Sequence, residues 1–440
     1  MSKIIRWIHS FLIDPVHAYQ AFHAARYITS VLISIVMVKS SMPTLDLGHF
    51  EFILFFTAAF TVFWSTGVKN ALLSFYKRIP QTENSNIFQS VFWILFLLGF
   101  LIGLVVIIAP SLVINIFGVD VSEYLIRLGG LYIICFAPVV LTENVFYLKK
   151  EISKLNMYNL FSHVPLLLVI GILAVLQSDI CIYLIVLIVY SGLKSIYLMY
   201  SIGMFKSIKF DKSAIKKMMF YSSPLMLNML VASAMDIVDG WFVSHYFDGA
   251  TFAIFRYGAR ELPFSSLLFA SLSAALIPQI IDKNTISKDL KTRCNQLMHI
   301  LFPISIFLMF LSPTLFKIAY NDTFTMSADI FNIYLLILIS RVLLPQSYMM
   351  AYDQHKVLVV SGIMELILNI SLSFWWLQIW GIYGLVFATV VSYSFQKIIL
   401  IFYNKFKNNI PFTAYVDVRF FSFYSVLSIV SLYISFKYLS

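Results

Sequence analysis

The stretch YFDGATFAIFRYGARELP, residues 246–263, sets Arg256, Arg260 and Glu261 inside an otherwise apolar run. Its opening repeats an earlier stretch, LDLGHFEFILFF, residues 45–56. In each, a glycine (Gly48 or Gly249) follows a polar turn and leads into an aromatic-rich segment of helix length. A second pair agrees with the first: Pro138 is followed after a helical stretch by Lys149, and Pro345 equally by Lys356. Weak internal repeats at this separation mark transporter folds made of two copies of one bundle, with the binding site between the copies.

Composition places those bundles in a membrane. Of the 440 residues, 60% are hydrophobic and 12% charged, where a soluble domain carries about 25% charged residues. Thirteen apolar runs between residues 22 and 438 reach the roughly 20 residues needed to cross a bilayer. The fold class expected is therefore an all-α polytopic membrane protein, with two six-helix bundles related by a pseudo-repeat and one extra C-terminal helix. The boundaries read as a basic interfacial helix at 1–21 stopped by Pro15, a first bundle at 22–203, a basic linker at 204–217, a second bundle at 218–404, and the added helix at 405–440.

Alternate connections divide by charge. One set holds Lys3 and Arg6, then Lys77 and Arg78, then the lysines at 149, 150 and 154, and continues so to Lys405 and Lys407. The other set, including QSDI, YFDGA and YNDTFTM, has no Lys or Arg. Basic loops stay on the cytoplasmic side, so the N-terminus is expected inside and, with thirteen spans, the C-terminus outside.

The spans themselves carry cations. Lys39, Lys317, Arg419 and Lys437 lie near span ends, where long side chains reach the interface. Arg26, Lys69, Arg127, Lys194, Arg256, Arg260, Arg341 and Lys397 do not. A charge at the bilayer centre costs about 2.5–3.5 kcal/mol, so eight facing lipid would cost on the order of 20 kcal/mol. They must face protein or water. Arg256 and Arg260, four apart, are expected on one helix face, with Glu261 about 100° away and Pro263 disturbing the helix just beyond. Two arrangements satisfy the cost. Either internal ion pairs join the helices, for example Asp239 with Arg256 or Arg260, or the cations line a wet, positive cavity whose ligand is an anion. Arginine suits phosphate because its fork donates two parallel hydrogen bonds. The candidate anion-binding residues are Arg256, Arg260, Arg26, Lys69, Arg127 and Arg341. The span carboxylates are Glu143, Asp236, Asp239, Glu261 and Glu365; the last four are the candidates for ion coupling or for ion pairing. Polar residues such as Asn70, Asn228 and Gln346 are candidates for sugar selection.

Other chemistries find little support. The cysteines Cys135, Cys181 and Cys294 are far apart and make neither a disulfide framework nor a metal site. No HExxH, P-loop or GxSxG motif occurs, no catalytic residue or cofactor is expected, and the short external loops leave no room for a catalytic domain. The positive charge of +10 follows the loops, so nucleic acid is not an expected partner.

The segment from YSSPLMLNMLVASAMDIVDGW through SLSAALIPQI resembles polysaccharide-biosynthesis flippases, the O-antigen translocase group of the multidrug/oligosaccharidyl-lipid/polysaccharide exporter superfamily. The resemblance rests on Pro224, Asp239, the entry DGATFAIFR, the closing ALIP at 275–278, and in the first half LGHFEF and STGVKNAL. It covers roughly 22–404 and implies a central cationic cavity, alternating access, and a polyprenyl-diphosphate-linked oligosaccharide as cargo. It also implies a bacterial inner membrane and, as partners, membrane lipid, a glycan polymerase and assembly proteins. Most members have fourteen spans where thirteen are read here. A multidrug exporter of the same superfamily is the alternative, and a membrane-embedded glycan polymerase or glycosyltransferase a more distant one.

Overall fold

The structure, a computed structural model, describes residues 14–76, 84–260 and 286–438, with 262, 265, 268, 269, 272 and 273; at several helical positions, Asp236 among them, only the backbone is described. Every regular element among these residues is helical. In chain order they are α1 (Pro15–Lys39), α2 (Thr44–Phe75), α3 (Asn84–Ile108), α4 (Pro110–Phe117), α5 (Glu123–Phe136), α6 (Thr142–Leu148), α7 (Ile152–Val175), α8 (Ile180–Ser201) and α9 (Lys212–Tyr246). There follow α10 (Gly249–Gly258), α11 (Ile286–Ala319), α12 (Thr325–Leu335), α13 (Ile337–Arg341), α14 (Pro345–Ala351), α15 (His355–Trp380), α16 (Ile382–Lys407) and α17 (Val418–Tyr438). Eleven spans among the described residues are long and apolar enough to cross a membrane. The protein is an all-α polytopic membrane protein. The expected span at 250–280 runs into residues outside the described ones.

Pro15 opens α1; the interfacial helix expected before it falls on residues 1–13, outside the described ones. A proline at the first helical position lacks only a donor that would be unbonded anyway, and its fixed φ suits the turn. Pro138 and Pro345 break their spans as the repeat suggested. A 3₁₀ turn at Ala137–Leu141 separates α5 from α6, and residues 342–344 separate α13 from α14. Each proline removes one backbone donor and crowds the preceding turn, which favours a break there, although Pro165, Pro303 and Pro313 sit inside continuous helices.

The chain forms two compact units, Met1–Ser233 with Ser244–Ala253, and Ala234–Val243 with Ile254–Ser440. In the first, α1 lies on α7 through Phe22, whose ring stacks on Tyr158 with centroids 5.6 Å apart. The helices α3 and α5 meet through glycines. A Cβ on Gly103 would strike the Gly130 carbonyl, and one on Gly99 would strike Ala137. Small residues four apart let backbones approach in a solvent where burial of apolar surface gives no drive. The two repeated turns also meet within this unit. A Cβ on Gly48 would collide with the Gly249 carbonyl, and Phe252 packs on Phe52 and Phe55 at 5.8 and 5.5 Å. The connection after α8 is held on α3: Gln89 donates to the Ile202 carbonyl (3.0 Å) and accepts from the Lys209 N–H (2.7 Å), while Ser90 accepts from the Asp211 N–H (2.8 Å).

Polar side chains join the helices of the second unit. Asn332 donates to Ser435 (3.1 Å) and accepts from Ser312 (2.7 Å). Asn404 donates to the Pro345 carbonyl (3.1 Å) and to Tyr415 (2.7 Å). α15 and α16 form a hairpin at Gly381, whose φ of 59° a glycine adopts without strain. At two helix starts an aspartate caps the first turn. Asp179 accepts from the Cys181 N–H (2.7 Å) and Asp248 from the Thr251 N–H (2.8 Å); the Cys181 N–H holds the Asp179 carboxyl below the usual range, and the Thr251 hydroxyl, then its N–H, hold that of Asp248 below it.

Gly103→Val should therefore destabilise the purified protein by about 1–3 kcal/mol, the usual cost of overpacking. Gly171→Ala, where nothing lies within 4 Å, should leave the thermal midpoint unchanged or raise it. Thermal unfolding in detergent reads both.

Candidate functional site

Within the first unit a cavity of about 430 Å³ opens among α1, α2 and α5. Arg26 comes from α1 and Lys69 from α2. The wall along α2 is a ladder of Thr57, Thr61, Ser65 and Lys69, each four residues from the last and so on one helix face. Opposite stand Tyr132 and Phe136 of α5, stacked with centroids 5.2 Å apart and planes 16° from parallel. Among the described residues, no Asp or Glu lines the cavity.

The cations there have few partners. Arg26 bonds to His23 Nδ1 at 3.2 Å. Lys69 has no hydrogen bond and no ion pair among the described residues. The carboxylate whose field reaches them is Glu143, on α6 just past the Pro138 break; it interacts with Lys69 first, then Arg26 and Lys194, without an ion pair within 4.0 Å. Glu143 is 2% exposed and its Oε1 has no hydrogen-bond partner. Lys194 lies 4.6 Å from the Tyr190 ring centroid and donates to the Ser162 carbonyl at 3.3 Å.

The other expected residues fall elsewhere. Arg127 stands on the exposed first turn of α5, paired with Glu123 at 3.0 Å, and does not line the cavity. α5 begins only four residues earlier, close to the expected span start, so Arg127 belongs with the cations near span ends. Arg256 and Arg260, in the second unit, do not share a helix face. α10 ends at Gly258, and Arg260 lies beyond it with its guanidinium 5.5 Å from the Tyr257 ring. Gly258 is packed so closely on the Ser327 backbone that a Cβ there would clash. Arg341 ends α13, its guanidinium 5.4 Å from the Tyr393 ring; Lys397 lies 4.8 Å from the same ring and donates to Gln346 (3.2 Å).

Asp239 is buried and accepts from neutral hydroxyls, Tyr334 at 2.6 Å and Thr389 at 2.6 and 2.8 Å. It makes no ion pair among the described residues, so the expected pairing with Arg256 or Arg260 is not formed. Glu365 is buried on α15. The Asp236 side chain and Glu261 lie outside the described residues, as does the side chain of Asn228; Asn70 is half-buried on α2.

The reading from sequence left Glu143 and Lys194 out of the site, and one signal could have found the lysine. YSGLK at 190–194 and YSFQK at 393–397 are a further repeat, each placing a lysine over a tyrosine one turn before it.

Architecture and cavity together define a polytopic all-α membrane protein with a cation-lined cavity. A family model described as "Polysaccharide biosynthesis protein" matches residues 43–329. The chain belongs to that family. The fold is also that of lipid II flippase MurJ in an inward closed conformation, with a TM-score of 0.68 and 17% identity over 94% of this chain and 92% of that one. An inward-facing MATE multidrug resistance transporter of the MOP superfamily gives 0.63 at 10% identity, over 94% and 96%. A MOP superfamily transporter from Pyrococcus furiosus gives 0.59 at 10% identity, over 90% and 97%. No curated protein sequence matches the chain.

Water access to the cavity can be measured by thiol labelling. With Cys135, Cys181 and Cys294 replaced by serine, Thr66→Cys and Lys69→Cys should react with a charged thiol reagent. Leu72→Cys, at a 0% exposed position, should not. Equal inertness of all three would show the cavity to be dry.

Proposed function

We propose that the protein is a flippase that carries a polyprenyl-diphosphate-linked oligosaccharide, an O-antigen or capsule repeat unit, from the cytoplasmic to the outer leaflet of a bacterial inner membrane. The observation that carries this reading is the pair Arg26 and Lys69 in a cavity without an acidic lining residue among the described ones. Cations left without a carboxylate at bonding distance are poised for an anionic head group, and a diphosphate supplies one. The polyprenyl tail stays in lipid while sugars enter the wet cavity. The halves then exchange access from one side to the other. Family membership and the fold shared with a lipid II flippase support the substrate class.

Arg256, Arg260 and Arg341, in the second unit, remain candidate anion-binding residues in this reading, and the basic loops keep the N-terminus in the cytoplasm. Among the expected coupling carboxylates, Asp239 is assigned that role, since its described partners are uncharged hydroxyls. A multidrug exporter selecting cations would need acids where this cavity has none among the described residues. Membrane lipid, a glycan polymerase and assembly proteins are the partners implied.

Charge-assisted hydrogen bonds are worth about 1.5–3 kcal/mol, or about tenfold and more in affinity each. Arg26→Ala with Lys69→Ala should therefore lower surface glycan by at least about tenfold at unchanged membrane levels of the protein. Arg127→Ala, outside the cavity, should not. Quantitative glycan immunoblots read both, and normal glycan in the double variant contradicts the assignment.

A further inference from the structure

Cations account for only one end of the first-unit cavity. The remainder has its own chemistry. Thr57 donates its hydroxyl proton to the Leu54 carbonyl (2.9 Å), and Thr61 donates to the Thr57 carbonyl (2.7 Å). With their protons committed to the helix, both oxygens offer acceptor lone pairs. What pairs with them must bring donors. An ionised phosphate has none, and a hydrocarbon tail has none. Alcohol groups do. Facing the ladder, Tyr132 and Phe136 give an apolar wall. A pyranose ring matches both walls, because its hydroxyls point outward at the rim while its C–H bonds make an apolar face.

The order along the wall is also fixed. Successive rungs rise about 6 Å, so Thr61 lies about 12 Å along the helix from Lys69, with Ser65 between them. A phosphate at Lys69 would place the directly attached sugar beside Ser65 and Thr61. The volume of about 430 Å³ lies in the range of small-ligand sites, roughly 300–1,000 Å³.

We propose that this cavity is a glycosyl-phosphate subsite: Arg26 and Lys69 hold the phosphate, Thr61 and Thr57 accept hydrogen bonds from hydroxyls of the first sugar or sugars, and Tyr132 and Phe136 cover the ring face. The inference rests on the flippase reading above and deepens it, since it makes the cavity selective for the sugar nearest the phosphate, not for the phosphate alone.

The test uses purified full-length protein and soluble probes: methyl phosphate, hexose 1-phosphates and N-acetylhexosamine 1-phosphates, with affinities from calorimetry or ligand-detected magnetic resonance. At least one glycosyl phosphate should bind about tenfold more tightly than methyl phosphate, the size of one or two good hydrogen bonds. Thr57→Val with Thr61→Val should erase that advantage and leave methyl phosphate binding intact; Phe136→Leu should reduce it. Should the valine variant fail to fold, the comparison of probes on the unaltered protein decides. Every glycosyl phosphate binding no better than methyl phosphate would overturn the subsite while Lys69-dependent phosphate binding kept the flippase reading. Loss of all Lys69-dependent phosphate binding would remove both.

Discussion

Arg26 and Lys69 are held among apolar helices with no carboxylate at ion-pair distance, and much of the first unit can be understood from that condition. A mid-membrane cation costs about 2.5–3.5 kcal/mol unless water, an acid or a ligand receives it. The cavity gives room for water, and Glu143 supplies a field without a direct bond. A closer pairing would neutralise the lysine and leave nothing for an anion to gain on entry. The buried carboxylate oxygen without a partner is costly in itself. Glu143 and the cations are thus each incompletely satisfied, the kind of local conflict expected where a structure serves binding more than stability.

Around this region the packing is well determined. Glycines of α3 bring it hard against α5, so the aromatic pair on α5 is set from behind. The 3₁₀ turn at Pro138 then redirects the chain before Glu143. Second-unit helices are joined by Asn and Ser bonds, as at Asn332 and Asn404. Such bonds hold helices together without fixing them as tightly as a charged pair would, at about 0.6 kcal/mol on average in membrane helices. The proposed alternating access would need bodies that keep their internal packing, and the packing within each unit is of that kind.

Most of the architecture was legible in the sequence, because bilayer thickness imposes span length and proline favours breaks. The turns at Gly48 and Gly249, read only as equivalent positions of two copies, pack on each other in the structure. The site was legible by residue type but not by grouping. Arg26 and Lys69 share a cavity, as expected of cations that lipid cannot hold. Arg127 does not: it stands about one turn into α5, near enough to the span end to pair with the exposed Glu123. Arg256 and Arg260 lost their common face to a helix end at Gly258, which depends on close approach to Ser327, a residue 69 positions away in the chain. The Thr57–Thr61–Ser65–Lys69 ladder was visible as spacing, but hydroxyls on a membrane helix bond to their own backbone wherever they point. Only the cavity distinguishes this face.

Transport itself is the most direct measurement. Protein reconstituted in liposomes with a fluorescent polyprenyl-diphosphate oligosaccharide should move it between leaflets, and should move neutral polyprenyl glycoside far more slowly. The rate advantage of the diphosphate should disappear when Arg26 and Lys69 are both made neutral. Equal rates for the charged and neutral lipids in the unaltered protein, or an undiminished advantage in the neutralised one, would contradict the account.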